Sequence, residues 1–110
     1  MSVYIVDLQI DEGNAAEMAR HNVTAEEVQQ VLSNAPRFLR NKGRRGATHV
    51  MIGPTYGGRL LTVPVAPTSV DGMWRPATAY DSSTGDRTRY VRERSDDYVT
   101  KQPINYPSKP

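Results

Sequence analysis

Between residues 35 and 60 of this 110-residue chain stand Arg37, Arg40, Lys42, Arg44, Arg45 and Arg59, with no acid among them. Guanidinium and ammonium groups gathered at this density suit contact with the phosphate oxygens of a polyanion. The stretch before them is the reverse: residues 1–34 carry Asp7, Asp11, Glu12, Glu17, Glu26 and Glu27 against Arg20 alone. The formal net charge of +2 hides this boundary. From Arg37 to Arg45 the one aromatic is Phe38. That composition favours phosphate contact over base reading, with strongly salt-dependent binding. A solvated loop is the other reading of the same residues.

Other chemistries lack their residues. There is no cysteine, which removes disulfides, thiolate zinc sites and a Cys nucleophile. His21 and His49 do not form an HxH or HExxH pattern, so no transition-metal site and no cofactor is expected. Asp81 and Asp86 have the spacing of helix-start residues rather than of a metal pair. Gly57-Gly58 lacks the Lys-Ser/Thr and the helix of a phosphate loop. His21 closes a predicted helix, where a protonated imidazole complements the dipole, the reading favoured over acid–base work by the same ring. No apolar run is long enough to span a membrane, and the expectation is a cytoplasmic protein with no membrane partner.

These residues need elements to hold them. Residues 3–10 read as a strand with Tyr4, Val6, Leu8 and Ile10 on its buried face. Asp11 caps a short helix carrying Ala15, Met18 and Ala19, and Asn22 suits its left-handed end. Thr24 and Glu27 have capping-box spacing ahead of a second helix with Val28, Val31 and Leu32 on its apolar stripe. Residues 37–47 read as a basic loop, 48–53 and 59–65 as a hairpin, and 73–80 as a further strand. Pro64 and Pro76 are expected at solvent-facing or bulged positions. Ser83 opens a final helix over 84–94. The order β-α-α-β-β-β-α gives an α+β domain, a mostly antiparallel sheet with helices on one side. It occupies residues 1–94, and 95–110 read as a flexible proline-containing tail.

Three pieces of the chain resemble the BrnT-type toxins of bacterial toxin–antitoxin modules, within the RelE/ParE-like group. Asp11-Glu12 followed by Arg20-His21-Asn22-Val23-Thr24 and Glu26-Glu27-Val28 is similar to that family's opening. Gly57-Gly58-Arg59-Leu60-Leu61-Thr62-Val63 is similar to its GRxLxVV strand. Arg75-Pro76-Ala77-Thr78-Ala79, with Tyr90 downstream, is similar to its RIISAR and ERxxY pieces. The family's arginine after the alanine is Tyr80 here, and the next basic position is Asp81.

The resemblance implies a RelE/ParE-like fold and a metal-independent endoribonuclease that inhibits growth. In that chemistry the ribose 2′-hydroxyl attacks the adjacent phosphorus and the 5′-oxygen leaves. The protein moves two protons and stabilises the extra negative charge. Arg59 and Arg75 match family arginines on neighbouring strands, from which two guanidinium groups facing one side converge on a phosphate. Tyr80, Tyr90 and His21 are the candidate proton carriers. Arg87 and Arg89, on the helix of Tyr90, join Arg37, Arg40, Lys42, Arg44 and Arg45 as RNA phosphate contacts. The implied partners are RNA and a ribbon-helix-helix antitoxin, with DNA reached only through the antitoxin complex. The rival reading is a non-catalytic binding protein on the same scaffold, acting on a host protein or nucleic acid.

Overall fold

Reciprocal caps start the first two helices. Asp11 Oδ1 accepts from the Asn14 backbone N–H at 3.0 Å, and Asn14 Oδ1 accepts from the Asp11 N–H at 2.8 Å. This satisfies donors that a helix start otherwise leaves open and sets α1 over Glu12–Arg20. Asn22 follows at φ 63°, a left-handed residue that ends the helix. Thr24 and Glu27 repeat the exchange at 3.1 and 3.0 Å to open α2, Ala25–Leu32. The computed structural model describes residues 2–42, 46–93 and 97–99.

The strands are β1 (Ser2–Tyr4), β2 (Asp7–Leu8), β3 (Arg37–Arg40), β4 (His49–Pro54), β5 (Leu60–Pro67), β6 (Met73–Pro76), β7 (Tyr80–Asp81) and β8 (Asp97–Val99), with α3 over Thr84–Arg92. The main sheet runs β2-β6-β5-β4-β3, and β7 also pairs β5. Its pairings are antiparallel except β2 with β6; β1 and β8 form a separate parallel pair. The α+β class and the largely antiparallel sheet are as expected. Among the described residues no helix is long and apolar enough to cross a membrane.

Alternation along the strands divides the core between two faces. Phe38, Met51, Leu61, Val63 and Val65 join Met18, Val28 and Val31 beneath α1 and α2. Residues of the opposite parity, Leu39, Val50 and Ile52, pack with Leu60 and with Tyr90 of α3. The helix pair therefore lies together on one side, while α3 covers residues that point the other way. Gly53 permits the close approach of α2's exit: a Cβ there would stand 3.0 Å from Pro36 Cα and 3.3 Å from Val31 Cγ1.

Several expectations need correction. The strand expected over 3–10 bends at Val6, whose N–H donates to the Gly72 carbonyl at 2.7 Å. The bend shifts the two-residue period, so Val3, Ile5 and Leu8 are buried while Tyr4 is 45% exposed. The stretch read as a basic loop begins with β3, where Phe38 and Leu39 are buried and the arginines flank them. The strand expected over 73–80 is two strands, because β5 changes partner from β7 at Leu61–Thr62 to β6 at Val65–Pro67. Pro64 and Pro76 are buried in the sheet rather than solvent-facing. Pro64 is tolerated because its carbonyl still accepts from the Ala77 N–H at 2.9 Å. The donation that proline cannot make falls where β6 has already ended. Asp97–Val99, within the expected tail, pair with β1; Tyr98 and Val99 are of strand-forming types. Residues 94–96 and 100–110 lie outside the described residues.

Candidate functional site

Arg59 enters β5 from the turn after β4. The turn is closed by Thr55 N–H to the Arg59 carbonyl at 2.8 Å and by Arg59 N–H to Thr55 Oγ1 at 3.1 Å. The guanidinium then reaches under the α1–α2 junction. Its Nη1 donates to the Asn22 carbonyl at 2.9 Å and to both Glu27 carboxylate oxygens at 3.1 Å. Its Nε donates to Asp81 Oδ1 at 2.7 Å. One side chain thus ties the helix pair to β5 and β7.

The charges of this cluster are mutually held. The Arg59 hydrogen bond holds the Asp81 carboxyl below its ordinary value, helped by the charges of Arg59 and Arg87. Glu27 is held low first by the Thr24 backbone N–H and then by Arg59. The hydrogen bond to Asp81, ahead of that to Glu27, raises Arg59. Both carboxylates are ionised near neutral pH, so neither is a general acid there. Beside them the rings of His21 and Tyr80 meet edge-on, 5.8 Å between centroids. His21, Arg59 and Tyr80 are therefore brought together, as the order of elements allowed.

The two arginines expected to converge do not. Arg75 pairs with Ala66, seven residues along β5 from Arg59. At about 3.3 Å per residue that is roughly 23 Å. Arg75 instead binds the Asp11 carboxylate at the start of α1. Asp11 is held below its ordinary value first by the Asn14 backbone N–H and next by Arg75. Tyr90 belongs to neither arginine: it packs on Leu39, Val50 and Ile52, with the Arg37 guanidinium 5.2 Å over its ring.

A second cluster lies where α3 crosses β3. Arg37 Nη1 donates to the Glu93 carbonyl at 3.3 Å, and Arg89 Nη2 donates to the Arg40 carbonyl at 2.9 Å. Arg89 also pairs with Glu93 at 3.2 Å. Arg92 is exposed on α3, while Arg40, which shares the parity of Phe38 and so points to the other face, and Lys42 are exposed at the β3 edge. One turn earlier on the same face of α3, Asp86 accepts from Thr62 Oγ1 at 2.9 Å. Arg87 acts on Asp81 instead, and Arg44 and Arg45 lie outside the described residues.

Sequence reasoning missed Glu27, Asp81 and Asp11 as partners of the key arginines. Glu27 and Asp11 were visible as capping residues, and Asp81 as a change of charge sign at a family position. Among the described residues no group of three or more His, Asp or Glu could hold a metal ion. Compared with known proteins, the chain matches no family model and no curated sequence.

Proposed function

We propose that this protein binds the phosphate backbone of RNA through the exposed β3 edge of the sheet, as a non-catalytic binding protein. The observation that carries the reading is the difference in charge balance between its arginine clusters. Arg59 and Arg75 are each engaged by carboxylates. Arg40 and Lys42 are exposed at the β3 edge of the sheet and Arg92 on α3, where Arg89 pairs with Glu93. A strand and a helix holding several cations toward solvent fit backbone contact, which fixes position without reading sequence. Anisotropy of a labelled RNA across a salt series, in EDTA, tests it. Arg40→Ala and Lys42→Ala are each expected to weaken binding for all sequences and to lower the salt slope by about one. A salt slope unchanged in both variants refutes the assignment of this face.

The second reading is the endoribonuclease toxin, RelE/ParE-like in fold and cytoplasmic, with a ribbon-helix-helix antitoxin as partner. The meeting of His21 and Tyr80 beside Arg59 favours it. In that case Arg59 exchanges a carboxylate for the scissile phosphate, and His21 and Tyr80 move the protons. Metal-free cleavage leaving a 2′,3′-cyclic phosphate, lost in His21→Ala, is its expected signature. Intact RNA throughout the salt series removes this reading and leaves the binding protein.

A further inference from the structure

His49 opens β4 as the register partner of Arg40 on β3 and of Val65 on β5. Partners in an antiparallel pair share a face, so Arg40 and His49 stand side by side on the face that carries α1 and α2. His49 is also one wall of a cavity of about 260 Å³. Tyr4, Val70 and Trp74 line it too, with Asp71 as its charged residue among the described ones. Trp74 is held by its indole N–H, which donates to the Tyr4 carbonyl at 2.8 Å, and by the His49 ring, edge-on at 5.4 Å between centroids. Gly72, at φ +84°, lets the Tyr4 ring lie on the backbone: a Cβ there would stand 2.7 Å from Tyr4 Cε2. Three rings thus border one opening, and that of Tyr4, 45% exposed, stays partly in solvent. The volume falls below the roughly 300 Å³ at which whole-ligand pockets begin. It suits one flat ring system.

We propose that this cavity receives one unstacked base of a single-stranded RNA whose phosphates lie along Arg40 and Lys42. The inference rests on the phosphate-binding reading of the β3 edge and names the form of RNA that the edge takes. Position is the first argument. Directly opposed residues of neighbouring strands have Cβ atoms about 4.5–5.5 Å apart. The exposed Arg40 side chain therefore starts close enough to the cavity wall for one short stretch of strand to touch both. Chemistry is the second argument. Every base offers a π-face to an aromatic ring, and such stacking tolerates any sequence. The Asp71 carboxylate accepts N–H groups of a base edge. The two contacts divide the work, the cations taking phosphate and the rings taking the base. A duplex keeps its bases paired and stacked inside, so a cavity of this kind is served by a single strand.

Trp74 is the lone tryptophan, so its fluorescence reports the cavity directly. The full chain is titrated with two oligomers of equal length, a single-stranded RNA and an abasic strand with the same phosphates. The RNA is expected to quench Trp74 and to bind at least about fivefold tighter, the low end of what one stacked base contributes. The abasic strand should bind with the same salt slope and leave Trp74 unchanged, and the RNA annealed to its complement should also leave it unchanged. Tyr4→Leu removes a ring but keeps the carbonyl that holds Trp74. It should lose the fivefold advantage, and Tyr4→Phe should keep it. Equal affinity for the two oligomers with Trp74 unquenched overturns the proposal, and a salt slope still lowered by Arg40→Ala then leaves the phosphate-binding edge standing without it. No binding of either oligomer overturns both. Quenching by the duplex equal to that by the single strand, or an advantage kept in Tyr4→Leu, also overturns the proposal. Quenching by a free nucleoside monophosphate and not by RNA overturns it in favour of a mononucleotide. A Trp74 signal that changes on dilution and not with RNA overturns it in favour of a second copy of the chain.

Discussion

Replacing Arg59 by Met keeps most of the stem that packs under the α1–α2 junction and removes the charged fork. Three interactions go with it: the ion pair to Glu27, the ion pair to Asp81, and the hydrogen bond to the Asn22 carbonyl. Partly exposed ion pairs contribute about 0.2–1 kcal/mol each. The Asp81 pair belongs at the low end, since that side chain is 63% exposed. A net hydrogen bond adds about 0.5–1.5 kcal/mol. The expected loss is about 1–2.5 kcal/mol at pH 7, or roughly 5–10 °C in Tm for a domain of this size. The pH dependence carries the sharper test. Both carboxyls are depressed in the folded protein, from ordinary values of 3.8 for Asp81 and 4.5 for Glu27. Their contribution is present above those ordinary values and is lost as pH falls through the depressed folded ones. The gap between wild type and Arg59→Met should therefore be full at pH 7 and narrow, toward the share of the Asn22 hydrogen bond, as the carboxylates protonate. Urea denaturation at pH 7, 4 and 3 measures it. A gap of equal size at all three, or none at pH 7, refutes the reading of Arg59 as an electrostatic tie.

Phe38→Ala tests whether the basic stretch begins as a strand. Phe38 is fully buried in the core beneath α1 and α2, so the loss should be about 3–5 kcal/mol by denaturant titration. A change within about 0.5 kcal/mol would restore the loop reading. Gly53→Ala should destabilise by about 1–3 kcal/mol, because the new methyl meets Pro36 backbone at 3.0 Å and the chain there has to move. Thr24→Ala removes the N-cap of α2 and should cost about 1 kcal/mol, read as a fall in thermal midpoint with the helical signal intact below it.

The parts legible in the sequence are those set by local chemistry. Asp11 and Thr24 announce helix starts because a cap needs only residues within one turn. The β4–β5 hairpin was legible because its turn, Pro54–Gly58, has the composition that reverses a chain. The parts not legible depend on partners far along the chain. Val6 turns the first strand over because Gly72 accepts its N–H, and nothing local to Val6 signals that acceptor. Pro64 sits inside a sheet because β6 stops opposite it, which is a property of β6. The arginines at 37 and 40 outweighed Phe38 and Leu39 in the sequence, although an arginine at a strand end keeps its head in solvent while its neighbours bury. Asp81 reaches Arg59 only because β7 pairs with the start of β5, at Leu61, and no residue near Asp81 announces that pairing.

That last contact decides how the arginines should be interpreted. From the sequence, Arg59 and Arg75 are expected on a scissile phosphate and Arg40 and Lys42 on flanking ones, and three-dimensional charge balance separates the two pairs differently. Arg59 faces two carboxylates and Arg75 faces one, so a phosphate at either place first has to displace an ion already hydrogen-bonded there. Among the described residues, Glu17, Glu27 and Asp11 of the acidic first third pair with Arg20, Arg59 and Arg75. Arg40 and Lys42 are exposed at the far edge of the sheet, on β3 and just beyond it. Substitution at Arg59 should therefore register in stability and its pH dependence, and substitution at Arg40 or Lys42 in the salt slope of RNA binding. A nuclease centred on Arg59 predicts a different coupling, with RNA turnover and stability at pH 7 falling together in Arg59→Met. Measuring both quantities on Arg59→Met and Arg40→Ala separates a binding surface from an active centre, whichever RNA sequence is used.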